Sequence, residues 1–79
     1  MLQDQDVLTI ISAGVLLGRA AEALSDFEAE TVAEIGRRFA EARRAAVITE
    51  AEWEVVRRSI DAMRVVIAYR LATAEAEAA

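Results

Sequence analysis

The sequence predicts an all-α fold of three helices, over about residues 4–24, 26–46 and 50–75, with an antiparallel helical hairpin and assembly into a homodimeric helical bundle. Three observations carry this expectation. Proline is absent and glycine occurs only at positions 14, 18 and 36, so the punctuation that β-hairpins and long loops require is missing. Two capping-box patterns mark helix starts. Apolar residues then recur at spacings of three and four, the period of one helix face. At 79 residues the whole chain, 1–79, reads as a single domain.

In the first helix, Asp4 and Asp6 stand near the N-terminus, where the macrodipole favours a carboxylate. Val7, Leu8, Ile10, Ile11, Val15, Leu16 and Leu17 then point in nearly every direction around the axis, the pattern of a helix buried on all sides. One hairpin cannot cover that much apolar surface, so a symmetric dimer is the economical solution. Its expected interface is Val7, Ile10, Ile11, Gly14, Leu17 and Gly18 of the first helix, with Val55 and Val66 of the third. Gly14, Gly18 and Ala21 also form a small-residue ridge, and Ala29, Ala33, Gly36 and Ala40 form another on the second helix. Both ridges are expected to pack closely inside a bundle.

The second helix opens at Ser25-Asp26-Phe27-Glu28, a capping box. Its larger apolar residues fall at Val32, Ile35 and Phe39. Glu30, Glu34 and Glu41 lie opposite that seam and are expected to be solvated, pairing with Arg37, Arg38 and Arg44 at helical spacing.

Thr49-Glu50-Ala51-Glu52 is the stronger capping box, and Ile48 with Trp53 adds a hydrophobic staple across it. Trp53 is therefore expected as a core residue first and an interface anchor second. The third helix continues the seam through Val56, Ile60, Met63 and Ile67. A second stripe, Val55, Ser59, Ala62, Val66 and Tyr69, gives it two neighbours to satisfy. Counting from the turn sets Phe39 near Val56 or Arg57, and Val32 near Met63 or Arg64. The last residues, from Ala74 on, have helical propensity but little to bury, and fraying is expected.

The stretch Arg43-Arg44-Ala45-Ala46-Val47-Ile48-Thr49-Glu50-Ala51-Glu52-Trp53 resembles the turn of SHOCT hairpins, found at the ends of many bacterial proteins. In those a helix is followed by a short apolar turn, then Thr, acidic residues and an aromatic. Where they usually carry Gly, this chain has Ala46-Val47, and it is not assigned to the family. The resemblance implies a self-associating or partner-binding hairpin.

Composition removes most chemistry. There is no Cys, His or Lys, hence no disulfide, no thiolate or imidazole metal ligand, no Schiff base and none of the usual nucleophile and base residues. The carboxylates, Tyr69 and scattered hydroxyls form no catalytic constellation, so no enzyme, cofactor or metal is expected. The formal charge is −5, from 14 acidic and 9 basic residues, the wrong sign for long-range attraction to phosphate. A recognition helix opening with Glu50, Glu52 and Glu54 would also set carboxylates against the DNA backbone. All the basic residues are Arg and Asn is absent, a bias read as GC-rich bacterial or phage coding. Val7 to Leu17 is too short to span a bilayer and the acidic N-terminus is unlike a secretory signal, so a cytoplasmic protein without membrane contact is expected.

The expected function is a non-enzymatic protein–protein interaction module: a small homodimeric adaptor, regulator or inhibitor, of which a phage product blocking a host regulator or motor is a concrete version. Its partners would be a second copy of itself and a protein with an acidic surface. Arg43, Arg57 and Arg64, with Trp53, are the expected binding residues. The arginines are expected to form a stripe beside the ridge of Ala33, Gly36 and Ala40, with Asp61 at helical spacing able to neutralise part of it. A structural subunit of a larger assembly, or a DNA-binding regulator, is the alternative.

Overall fold

The computed structural model describes residues 1–78 as three α-helices, α1 (Asp4–Ala20), α2 (Asp26–Ala42) and α3 (Glu50–Ala78), with single 3-10 turns at Ala21–Ala23 and Arg43–Ala45. Among the described residues there is no strand. The expected ends at 24 and 46 shorten because the last turn of each of the first two helices tightens to 3-10 geometry, which gives the terminal carbonyls closer donors. The Leu24 N–H donates to the Ala21 carbonyl at 3.0 Å and the Ala46 N–H to Arg43 at 3.1 Å. At the other end α3 runs three residues past the expected Glu75, carried by alternating Ala and Glu, both good helix formers. Ala79, the last residue of the segment expected to fray, lies outside the described residues.

Each helix starts where its cap directs. Ser25 is extended (φ −68°, ψ 163°) and its Oγ accepts from the Glu28 N–H at 3.2 Å, while Glu28 Oε1 accepts from the Ser25 N–H at 2.9 Å. The turn before α3 repeats the pattern: Thr49 Oγ1 accepts from the Glu52 N–H at 3.2 Å and Glu52 Oε1 from the Thr49 N–H at 2.9 Å. At α1 the Gln3 N–H donates to Asp6 Oδ2 at 2.9 Å. The chain ends α2 at Arg43, the one non-glycine residue with positive φ among those described (φ 53°, ψ −131°).

The core gathers one face from every helix. Ile10, Ala13 and Ala20 come from α1, Val32 and Ile35 from α2, and Val56, Ile60 and Met63 from α3. Leu2 and Ala46 close one end, and Ile48 and Trp53 pack against the cluster as partly buried neighbours, in keeping with the staple. Long-range ties hold the ends together: Leu2 N–H donates to the Arg44 carbonyl at 2.8 Å, and Arg70 Nη1 donates to the Arg19 carbonyl at 2.7 Å while its side chain pairs with Glu22.

Within one chain, α1 and the glycine ridges leave much of their surface open. The first helix is covered on one side only: Leu8, Ile11 and Val15 stay 58%, 51% and 57% exposed. α2 and α3 shield one face of it, as expected of a single hairpin, and the remaining apolar side is open. The small-residue ridges make no close approach within the chain, since a Cβ placed on Gly14, Gly18 or Gly36 would meet nothing within 4 Å. Spacing shows that small residues share a face; it does not say that the face turns inward.

Ser59, placed on the outer stripe by its spacing, is fully buried, and its Oγ has no hydrogen-bond partner among the described residues. A desolvated hydroxyl without a partner is unfavourable, and Ala is the better helix former. Ser59→Ala is therefore expected to raise stability by about 1 kcal/mol, read as a higher urea midpoint at unchanged slope. A lower midpoint would show that the hydroxyl is satisfied by its own helix, through the carbonyl one turn earlier.

Candidate interaction surface

The most distinctive surface lies along the line where α1 and α3 meet. A groove of roughly 300 Å³ is walled by Gln5, Leu8, Thr9 and Ser12 of α1 and by Arg57, Ile60, Asp61 and Arg64 of α3. It continues into a shallower one between Ile11, Val15, Leu16 and Arg64. Further along the same line, Arg19 faces Ile67, Arg70 and Leu71. The lining thus mixes apolar side chains with the guanidinium groups of Arg57 and Arg64 and the Asp61 carboxylate.

Arg57 and Arg64 are brought together because seven residues are close to two full helical turns, which returns them to one face of α3. Their neighbour is α1, and the expected ridge of Ala33, Gly36 and Ala40 contributes nothing to the groove's lining. Arg43 is absent from it as well, standing exposed where α2 ends. The expectation considered only the packing of α2 on α3, whereas α3 has α1 as a second neighbour.

The expected pairing with Asp61 is also replaced. Arg57 Nη2 reaches Glu50 Oε1 at 2.8 Å, and Arg64 has no ion-pair partner among the described residues. With the Arg57 and Glu50 side chains 56% and 84% exposed, that pair is held weakly and can be exchanged for another carboxylate.

Elsewhere the ion pairs are structural. Glu34 takes Arg37 at 2.9 Å and Arg38 at 3.2 Å, as the spacing predicts. Arg38 also reaches across to α3, where its Nη2 lies 2.8 Å from Glu52 Oε2 and its Nη1 donates to the Val47 carbonyl at 3.2 Å. The Arg38 guanidinium, with the Thr49 N–H second, holds the Glu52 carboxyl far below its usual 4.5, at about 2. Arg44 does not pair with Glu41; its Nη2 binds Asp4 at 2.7 Å and its Nη1 the Leu2 carbonyl at 3.2 Å. That clamp spans 40 residues, a separation to which local spacing is blind.

Of the expected interface residues, Ile10 is corrected: it is 5% exposed and belongs to the chain's own core. Val7 and Leu17 are partly buried against that core, and Val55 and Val66 are half-buried. Ile11, Gly14 and Gly18 lie in the open. Leu8 and Val15, absent from the expected interface, are the large apolar side chains that accompany Ile11. Their spacing of seven, bracketing Ile11, was the available signal.

Among the described residues no three carboxylates gather where they could hold a metal ion, and no helix is long and apolar enough to cross a membrane. Set against protein-family models, curated proteins and solved structures, the chain shows no match.

Proposed function

We propose that the chain is a non-enzymatic protein–protein interaction module that works as a homodimer and binds a partner with an acidic surface through the Arg57 and Arg64 edge of α3. In this reading α2 and α3 form an antiparallel helical hairpin, tied at the turn by Arg38, and serve as an adaptor, regulator or inhibitor. The observation that carries it is the row of Leu8, Ile11 and Val15 left open beside two arginines that no strong ion pair holds. Contiguous exposed apolar surface rimmed by polar groups marks interaction sites. Arginine suits such an edge because its planar fork binds carboxylates in two places and is weakly hydrated.

The test compares the wild-type chain with the Arg57→Glu, Arg64→Glu double variant. Both side chains flank the core, so helicity by circular dichroism should be unchanged. A fluorescent glutamate-rich helical peptide should bind the wild type and lose at least about tenfold in affinity on the double reversal, about 1.4 kcal/mol. Equal binding by the two proteins would reduce the edge to a solvated helix face. Retention of a duplex DNA at physiological salt by the wild type, in place of the peptide, would favour a nucleic-acid role.

A further inference from the structure

The open face of α1 has a sequence symmetry that selects its occupant. Leu8, Ile11 and Val15 are centred near Ile11, and beyond them on either side stand Asp4 and Arg19. Asp4 keeps its side chain 89% exposed even while bound to Arg44, and the Arg19 side chain has no ion-pair partner among the described residues. Turned end for end about a point between Ile11 and Ser12, the face maps onto itself: Leu8 falls on Val15 and Asp4 on Arg19. We infer that this face pairs with the same face of a second copy, antiparallel, with Leu8 against Val15 of the partner subunit and Asp4 against Arg19 of the partner subunit.

Charge decides the direction. A parallel pair would set Asp4 on Asp4 and Arg19 on Arg19, two repulsive like-charge pairs along one short seam. The antiparallel pair turns both into attractions, and it aligns the helix dipoles favourably as well. The bare backbones at Gly14 and Gly18 put no side chain in the way. Area decides how far the contact reaches. A 17-residue helix is about 26 Å long and about 10 Å wide, well short of the roughly 800 Å² that each partner commonly buries in a stable complex. The C-terminal part of α3 around Ile67 and Leu71, beyond the Arg57 and Arg64 edge assigned to the acidic partner, must therefore join in. Leu71, 61% exposed beside Arg19, then lies over the first turn of the partner's α1.

The pairing rests on the homodimer proposed above, and the experiment separates the two. Sedimentation equilibrium of the unmodified protein tests the dimer itself; a monomer at high micromolar concentration overturns both. The register is read with single cysteines, since the chain has none of its own and a disulfide needs Cα atoms within about 7 Å. Ile11→Cys should link to itself under mild oxidation. A mixture of Leu8→Cys and Val15→Cys should link to each other in preference to themselves. Self-linking of Leu8→Cys that matches or exceeds the mixed product would mean a parallel pair, and no linking at any position in a sedimenting dimer would place the interface elsewhere; either result overturns the register and leaves the dimer standing. Charge reversal gives a second reading. Arg19→Asp and Asp4→Arg should each weaken the dimer by about tenfold, there being two such pairs per dimer, and the double variant should recover most of the loss. The double variant is compared with Asp4→Arg alone, since both lack the Arg44 clamp equally; failure to recover relative to that single variant overturns the antiparallel seam.

Discussion

Ile35→Ala is expected to destabilise the protein by about 2–5 kcal/mol, the usual range for truncating a fully buried branched side chain. Ile35 is 1% exposed on α2 and joins the core to which α1 and α3 each give a face, so the cavity would open where all three helices meet. A chain of this size has a total stability on the order of 5–10 kcal/mol, and the variant should approach half-unfolding at moderate temperature. Urea denaturation followed by circular dichroism, repeated at several protein concentrations to separate folding from association, measures it. Ile35→Val should lose only about 1 kcal/mol. A loss below that for the alanine variant would mean that α2 is not packed as described.

The second large effect is electrostatic and depends on pH. Glu52 joins three structural elements at once: it closes the cap at Thr49, pairs with Arg38 of α2 and starts α3. Its carboxyl is lowered from 4.5 to about 2, first by the Arg38 guanidinium and then by the Thr49 N–H. A folded value below the unfolded one means that the stabilisation is fully present above about pH 4.5 and is lost as pH falls towards 2. The shift corresponds to on the order of 2–3 kcal/mol once solvent screening of the partly exposed pair is allowed for. Glu52→Ala should cost about that much at pH 7, and the acid-induced drop in stability between pH 4.5 and 2 should shrink to match. Were wild type and variant to lose stability in parallel over that window, Glu52 would not be the group that titrates. Glu34 and Glu28 are also lowered, Glu34 by hydrogen bonds from Arg37 and Arg38 and Glu28 by those from Ser25, and their protonation acts in the same direction.

What could be read from the sequence divides by distance along the chain. Both capping boxes and the Glu34 pairs are settled within four residues, and local hydrogen-bond chemistry is enough to place them. The seam of Val56, Ile60 and Met63 was legible because burial imposes a period. The facing of the glycine ridges was not, since a run of small residues is compatible with an inward or an outward side. The clamp of Arg44 on Asp4 and the capture of Glu52 by Arg38 depend on where helices sit in space. So does the surface at Arg57 and Arg64: their common face followed from the seven-residue spacing, but α1 as the opposite wall required knowing which helix lies beside α3. Leu8 and Val15 are legible as apolar, on a helix that one hairpin cannot cover, but are not named with the expected interface. Which side of α1 the other two helices cover is a matter of geometry that residue type does not report.

The length of α3 has a mechanical consequence. Its 29 residues extend about 44 Å at 1.5 Å per residue, against about 26 Å for α1 and α2, and the molecule is drawn out to 48 × 24 × 18 Å. Beyond Leu71 the helix is exposed along its whole circumference, so its final two turns project clear of the core. In the antiparallel pair proposed above, these two projections would leave from opposite ends, and groups attached to them would be set apart along the long axis of the assembly.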